Sequence, residues 1–91
     1  MVLQSVDNLF KQFENLLNEA KNNGEAYIMV FKPYVRKIII NPVVFKQGTN
    51  IYVTNSDCSF IVNVFNFDTI TVGVTDNDFY NKYGHNDNII R

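Results

Sequence analysis

The sequence predicts an α+β fold, in which one N-terminal amphipathic helix packs on a four- or five-stranded antiparallel β-sheet and a short helical turn or tail follows. Two patterns support this fold class. Residues 2–22 repeat apolar side chains at the spacing of a helix. The stretch from Gly48 to Val74 contains three β-rich runs separated by two short polar turns, which is typical of an antiparallel meander. With 91 residues we expect one domain, with a core (1–75) and a C-terminal segment (76–91).

The N-terminal segment is predicted to be a helix with one broad apolar face. The residues that define this face recur at spacings of three and four: Leu3, Val6, Phe10, Phe13, Leu17 and Ala20. Leu9 and Leu16 widen the face. Ser5 or Gln4 is a candidate cap for its start, and Gly24 suits the position after its end. A dimerising coiled coil is the alternative because the spacing is close to a heptad, but we favour packing within the chain because the β-rich remainder needs a cover.

The middle of the chain predicts two strands and a bend. The continuous apolar run Ala26–Phe31 is typical of a strand that is central or buried on both faces. Lys32-Pro33-Tyr34 interrupts it, because proline has no N–H to donate to a neighbouring strand. Val35–Ile40 predicts the second strand, which Asn41-Pro42 ends or bends. Val43–Phe45 either extends that strand past the bend or forms a short separate one.

The meander is predicted to leave one apolar surface uncovered. Ile51–Thr54 is expected to pair with Cys58–Phe65 through a loop at Asn55-Ser56-Asp57. Alternation places Phe60, Val62 and Val64 on one face of this long strand and Ser59, Ile61, Asn63 and Phe65 on the other. The last strand alternates in the same way, with Ile70, Val72 and Val74 apolar. Because a single helix covers one face only, Ile61 and Phe65 are candidates for a partner surface.

The segment from Asp76 to Gly84 predicts a short helix, with Asp76 as its cap and Gly84 as its stop. Asp76-Asn77-Asp78 also resembles the start of a calcium-binding loop. An EF-hand needs glycine at position six and glutamate at position twelve, where this chain has Asn81 and Asp87. We therefore favour the helix cap over a metal site.

Composition favours an intracellular, cytoplasmic protein. The single cysteine, Cys58, has no internal disulfide partner, and the N-terminus lacks the pattern of a signal peptide. The longest apolar run, Ala26–Phe31, is too short to span a bilayer. A formal net charge of −1 gives no overall attraction to nucleic acid or to an acidic membrane.

The sequence predicts no enzyme active site, cofactor or metal. His85 is the only histidine, and Cys58 has no basic residue nearby in the sequence to activate it, so a nucleophile–base pair is disfavoured. Two such residues also fall short of the four ligands that structural zinc requires.

One basic stretch stands out against this neutral background. Lys32, Tyr34, Arg36 and Lys37 combine cations with an aromatic ring, as a surface that binds single-stranded nucleic acid would. A solvated sheet edge, where lysines prevent edge-to-edge pairing, is the reading we favour. By element order, a helix followed by about five strands resembles the Sm-like small barrels that bind single-stranded RNA. This resemblance implies RNA binding by the basic stretch as an alternative function.

We therefore predict a non-enzymatic protein-interaction module that forms a homodimer. Its candidate partner surface comprises Ile61, Phe65, Phe79 and Tyr80. Small size and a composition rich in Asn, Ile, Phe, Lys and Tyr favour an inhibitor or regulator of a host protein, encoded by a phage or other mobile element.

Overall fold

The computed structural model describes residues 5–83 and 89–91, without the side chains of Asn77, Tyr80 and Tyr83. Two helices and seven strands are described, together with one 3₁₀ turn (Val64–Asn66). In chain order they are α1 (Val6–Asn23), β1 (Ala26–Lys32), β2 (Val35–Ile40), β3 (Val43–Gln47), β4 (Asn50–Thr54), β5 (Ile61–Asn63), β6 (Thr69–Val74), α2 (Asn77–Tyr83) and β7 (Ile89–Ile90).

The strands form two sheets rather than one meander. The four-stranded sheet has the order β6-β1-β2-β7, and the three-stranded sheet has the order β3-β4-β5. All described pairings are antiparallel except β2 with β7, which is parallel. The α+β class is confirmed, whereas the single antiparallel sheet is corrected to two sheets, one of them mixed.

A sharp bend carries the chain from one sheet into the other. Only Asn41 and Pro42 separate β2 from β3. Asn41 has a positive φ of 49°, a conformation that asparagine tolerates better than most residues, and its N–H donates to the carbonyl of Ala26 at 2.8 Å. Pro42 is buried. Val43 therefore begins a strand that lies past the bend and pairs with β4.

The predicted strand Cys58–Phe65 is much shorter than expected. Residues 55–60 form a loop, and β5 contains only three residues. The side chain of Asn63 then accepts a hydrogen bond from the N–H of Phe65 at 3.0 Å, which caps the 3₁₀ turn and ends the strand. After this turn β6 crosses to the other sheet, where Val74 pairs with Ala26 of β1.

Helix α1 lies over a core that both sheets share. Its side of the core is formed by Leu17 and Ala20, which are buried, while Phe13 is half-buried against them. The hydroxyl of Ser5 accepts the N–H of Asn8, which confirms the predicted cap. Leu16 is 53% exposed, so the apolar face is narrower than predicted. The buried sheet residues of this core are Ala26, Ile28, Val30, Ile39, Ile51, Val53 and Val62, and Val64 of the 3₁₀ turn joins them.

A second, smaller core covers the opposite face of the four-stranded sheet. Phe79 of α2 is buried there, and its ring stacks on Tyr27 with centroids 4.7 Å apart. Asp76 accepts the N–H of Phe79 at 2.8 Å, as expected for the helix cap. Gly73 lies opposite Tyr27, and a Cβ there would come within 2.8 Å of the tyrosine oxygen, so any larger residue at this position of β6 would have to displace the Tyr27 ring. This second cover explains why Ile38, Ile39 and Ile40 are all buried.

Candidate interaction surfaces

The three-stranded sheet has one face against the core and an opposite face on which Val43 and Ile61 are exposed. Pairing aligns Val43, Thr54 and Ile61 in one row across this opposite face. The next row consists of Phe45, Tyr52 and Asn63. We call these two rows the outer sheet face. Their strand neighbours point the other way, so Val44, Val53 and Val62 pack into the core.

The outer sheet face is apolar and uncharged. Val43 is exposed and Ile61 is 53% exposed, on either side of the buried Thr54. The rings of Phe45 and Tyr52 stack with centroids 5.2 Å apart. Asn63 donates a side-chain hydrogen bond to Asn50 at 3.1 Å. This face therefore offers aliphatic and aromatic contacts with a few satisfied polar groups, which is the composition of a protein interface.

The structure separates the residues predicted to form the partner surface. Phe65 is 49% exposed in the 3₁₀ turn that follows β5, and Ile61 lies on the outer sheet face. Phe79 instead lies in the second core, where it is not accessible to a partner. The side chain of Tyr80 lies outside the described part of the structure. Sequence reasoning missed Val43, Phe45 and Tyr52.

A signal for the missed residues is present in the sequence. Gly48 has a φ of 61° and sits in the two-residue turn between Gln47 and Asn50. Glycine at such a turn fixes the hairpin register. From that register, alternation along β3 and β4 would have placed Phe45 opposite Tyr52 on the face away from the core.

The basic stretch lies at one end of the four-stranded sheet, where each cation is held over an aromatic ring. Lys32 lies 5.9 Å from the ring centre of Phe67. Arg36 lies 5.6 Å from the ring of Phe31, its partner across the hairpin. We call this region the basic–aromatic end; its third cation, Lys37, lies 5.8 Å from the ring of Phe60.

Tyr34 occupies the tip of the hairpin between β1 and β2. Its side chain is fully exposed, and its backbone has a φ of 70°. A bulky residue with positive φ is uncommon, because its Cβ crowds the backbone. Pro33 precedes it and suits the first turn position, while glycine would suit the position of Tyr34. The chain therefore has an aromatic residue at a turn position whose backbone conformation favours glycine.

The loop of residues 55–60 has no arrangement that we can assign to catalysis. Cys58 is exposed, and its Sγ lies 3.9 Å from the hydroxyl oxygen of Thr54. His85, the other member of the disfavoured nucleophile–base pair, lies outside the described residues. Hydrogen bonds from the hydroxyl and the N–H of Ser59 lower the pKa of the Asp57 carboxyl. Across residues 5–83 and 89–91, no three histidine, cysteine or acidic residues cluster as a metal site would require.

No protein-family model, curated protein or solved structure matches this chain. The resemblance to Sm-like barrels accordingly remains one of element order. Neither described helix has the length and apolar character needed to cross a membrane.

Proposed function

We propose that this protein is a non-enzymatic interaction module that assembles as a homodimer through its outer sheet face. The exposure of Val43 and Ile61 on the outer sheet face carries the proposal. Phe65 adds a half-exposed ring beside it. Burying such apolar surface in a partner stabilises a complex by removing it from water.

A second copy of this chain suits the outer sheet face well. Neither row of the face contains a charged residue, so two copies can meet without repulsion between like charges. A closed two-fold dimer uses one patch twice and is the commonest assembly. The stacked Phe45 and Tyr52 rings are the residue types enriched at interface centres.

The solution mass of the purified protein tests this proposal. We expect light scattering to give a dimer at micromolar concentration and a monomer for Ile61→Asp and Phe65→Asp, because a buried unpaired carboxylate opposes association. Ile61→Ser is a milder variant for use if the aspartates are insoluble. Leu16→Asp is the matched control, because Leu16 is an equally exposed apolar residue on α1.

A monomer mass for the unmodified protein would contradict the proposal. Dissociation by Leu16→Asp, with Ile61→Asp still dimeric, would move the interface to the surface between α1 and β6.

Small size and composition support the regulator role on a host protein. For that role we expect the dimer, used as bait in its native host, to retain a protein partner after nuclease treatment; retention only without nuclease would count against it.

A further inference from the structure

We propose that the basic–aromatic end is a binding site for a single-stranded nucleic acid. In this assignment Lys32 and Lys37 on one face of the hairpin and Arg36 on the other contact phosphates of a strand that passes the hairpin tip, where the ring of Tyr34 stacks on one base. The site is independent of the outer sheet face and uses none of its residues.

Among the described residues, no paired acid balances the positive charge of Lys32, Arg36 and Lys37. Within residues 5–83 and 89–91, the only described ion pair joins Lys46 to Asp7. No described carboxylate therefore lies within ion-pair distance of Lys32, Arg36 or Lys37. Asp68, just before β6, donates its backbone N–H to the carbonyl of Phe31. Three cations thus flank one hairpin tip, Lys32 and Lys37 on one face and Arg36 on the other, and on a protein of net charge −1 this local charge suits a local anionic ligand.

The exposed ring of Tyr34 also supports this assignment. It is fully exposed at a hairpin tip and makes no described ring contact, so its face is open to a planar ligand. Its positive φ shows that the turn accommodates this ring at a backbone cost. Residues held in such conformations concentrate at ligand sites. A turn that is exposed only to solvent would be expected to have glycine rather than an aromatic residue at this position.

The contacts between the cations and aromatic rings support the assignment as well. Exposed cation–aromatic contacts are weak, so a phosphate can draw each cation away from its ring at small cost. Meanwhile the rings limit the positions that the long side chains sample. The movement of Arg36 would uncover Phe31, which is already exposed and lies across the hairpin from it. Phe31 then becomes a second exposed ring, on the face of the hairpin that carries Arg36.

The combination of cations with exposed aromatic rings favours a single strand over a duplex. An exposed ring can stack only on a base whose face is free, and paired bases have their faces covered by neighbours in the helix. Stacking is tolerant of base identity because every base has an aromatic face. We therefore assign little sequence preference to this site.

Fluorescence anisotropy with labelled oligo(U) and oligo(dT) of about twelve nucleotides tests the assignment, since sites of this type cover about 4–16 nucleotides. We expect binding at low salt, with the logarithm of affinity falling against the logarithm of salt at a slope of about −2 for three phosphate contacts. Equal binding of both probes assigns recognition to phosphates and bases, whereas preference for oligo(U) adds a contact to the 2′-hydroxyl; both results support the proposal.

Variants at the tip separate stacking from folding. Tyr34→Gly suits the positive φ, so it should fold as well as the parent while binding about tenfold or more weakly. Tyr34→Phe keeps the ring and should bind like the parent. Arg36→Glu should abolish binding, whereas Lys11→Glu, the same charge change on the exposed side of α1, should have little effect.

Three results would overturn the proposal. The first is no anisotropy change with either oligonucleotide at low salt. The second is unchanged affinity in a folded Tyr34→Gly variant, because the ring would then have no role. The third is displacement by poly(glutamate) as readily as by unlabelled oligonucleotide, which would indicate a general polyanion or acidic-peptide surface.

Discussion

At the scale of single residues, Asn55 holds together the loop between β4 and β5. Its side chain is buried, and all of its described hydrogen-bonding groups are used. The Oδ1 atom accepts the N–H of Phe60 at 2.9 Å. The Nδ2 group donates to Ser59 Oγ and to the carbonyl of Arg91, each at 2.8 Å. One polar side chain thus joins the loop to the residue that follows β7.

Asn55→Ala should destabilise the protein by about 1–3 kcal/mol, because it removes a buried side chain whose hydrogen bonds satisfy the N–H of Phe60 and the carbonyl of Arg91. Urea unfolding followed by circular dichroism measures the change. Ser56→Ala, at the exposed neighbouring position, is the control and should change stability by less than about 0.5 kcal/mol. Equal effects of the two substitutions would show that the hydrogen bonds of Asn55 contribute little.

Asp57 in the same loop should titrate below the ordinary value of 3.8 for aspartate, because Ser59 donates hydrogen bonds to its ionised form. A lowered pKa in the folded state means that this interaction stabilises the fold above the ordinary pKa and is lost as pH falls through the lowered one. Carboxyl chemical shifts in an NMR titration give the midpoint. Ser59→Ala should bring the midpoint back toward the ordinary value, and a parent midpoint at or above 3.8 would refute the described contact.

At the scale of elements, α1 allows a comparison between two adjacent leucines. Leu17→Ala should cost about 2–5 kcal/mol, because it removes buried methyl groups and leaves a cavity in the shared core. Leu16→Ala should cost about 0.5 kcal/mol, because that side chain is largely in solvent. Thermal and urea unfolding of both variants provide the test. Similar losses would mean that the helix is rotated from the orientation described.

The elements with continuous patterns were the ones that sequence could predict. Both apolar runs, Ala26–Phe31 and Val35–Ile40, are strands, and Ser5 caps α1. The exposure of Leu16 was missed because the spacing of leucines cannot show where the sheet beneath the helix ends. The early end of β5 was missed because it depends on one hydrogen bond, from the N–H of Phe65 to Asn63.

At the scale of the whole molecule, sequence predicted two candidate surfaces but not which residues would meet on them. Ile61 and Phe65 are exposed as expected, whereas Phe79 is buried because Tyr27 and the isoleucines of β2 form a second apolar surface that α2 covers. Pairing of β6 with β1 joins residues far apart in the chain, which local patterns do not encode. The two-residue strand β7 is too short to produce a periodic signal.

The position of β1 has a consequence for synthesis in the cell. Its partner β2 follows at once, but its other partner, β6, comes only after the entire three-stranded sheet. At about 5–20 residues per second, translation leaves one edge of the apolar strand Ala26–Lys32 open for seconds before Val74 emerges. Unpaired strand edges of this kind associate with other chains. Translation speed and chaperone capacity, as well as final stability, therefore govern how much folded protein a cell accumulates.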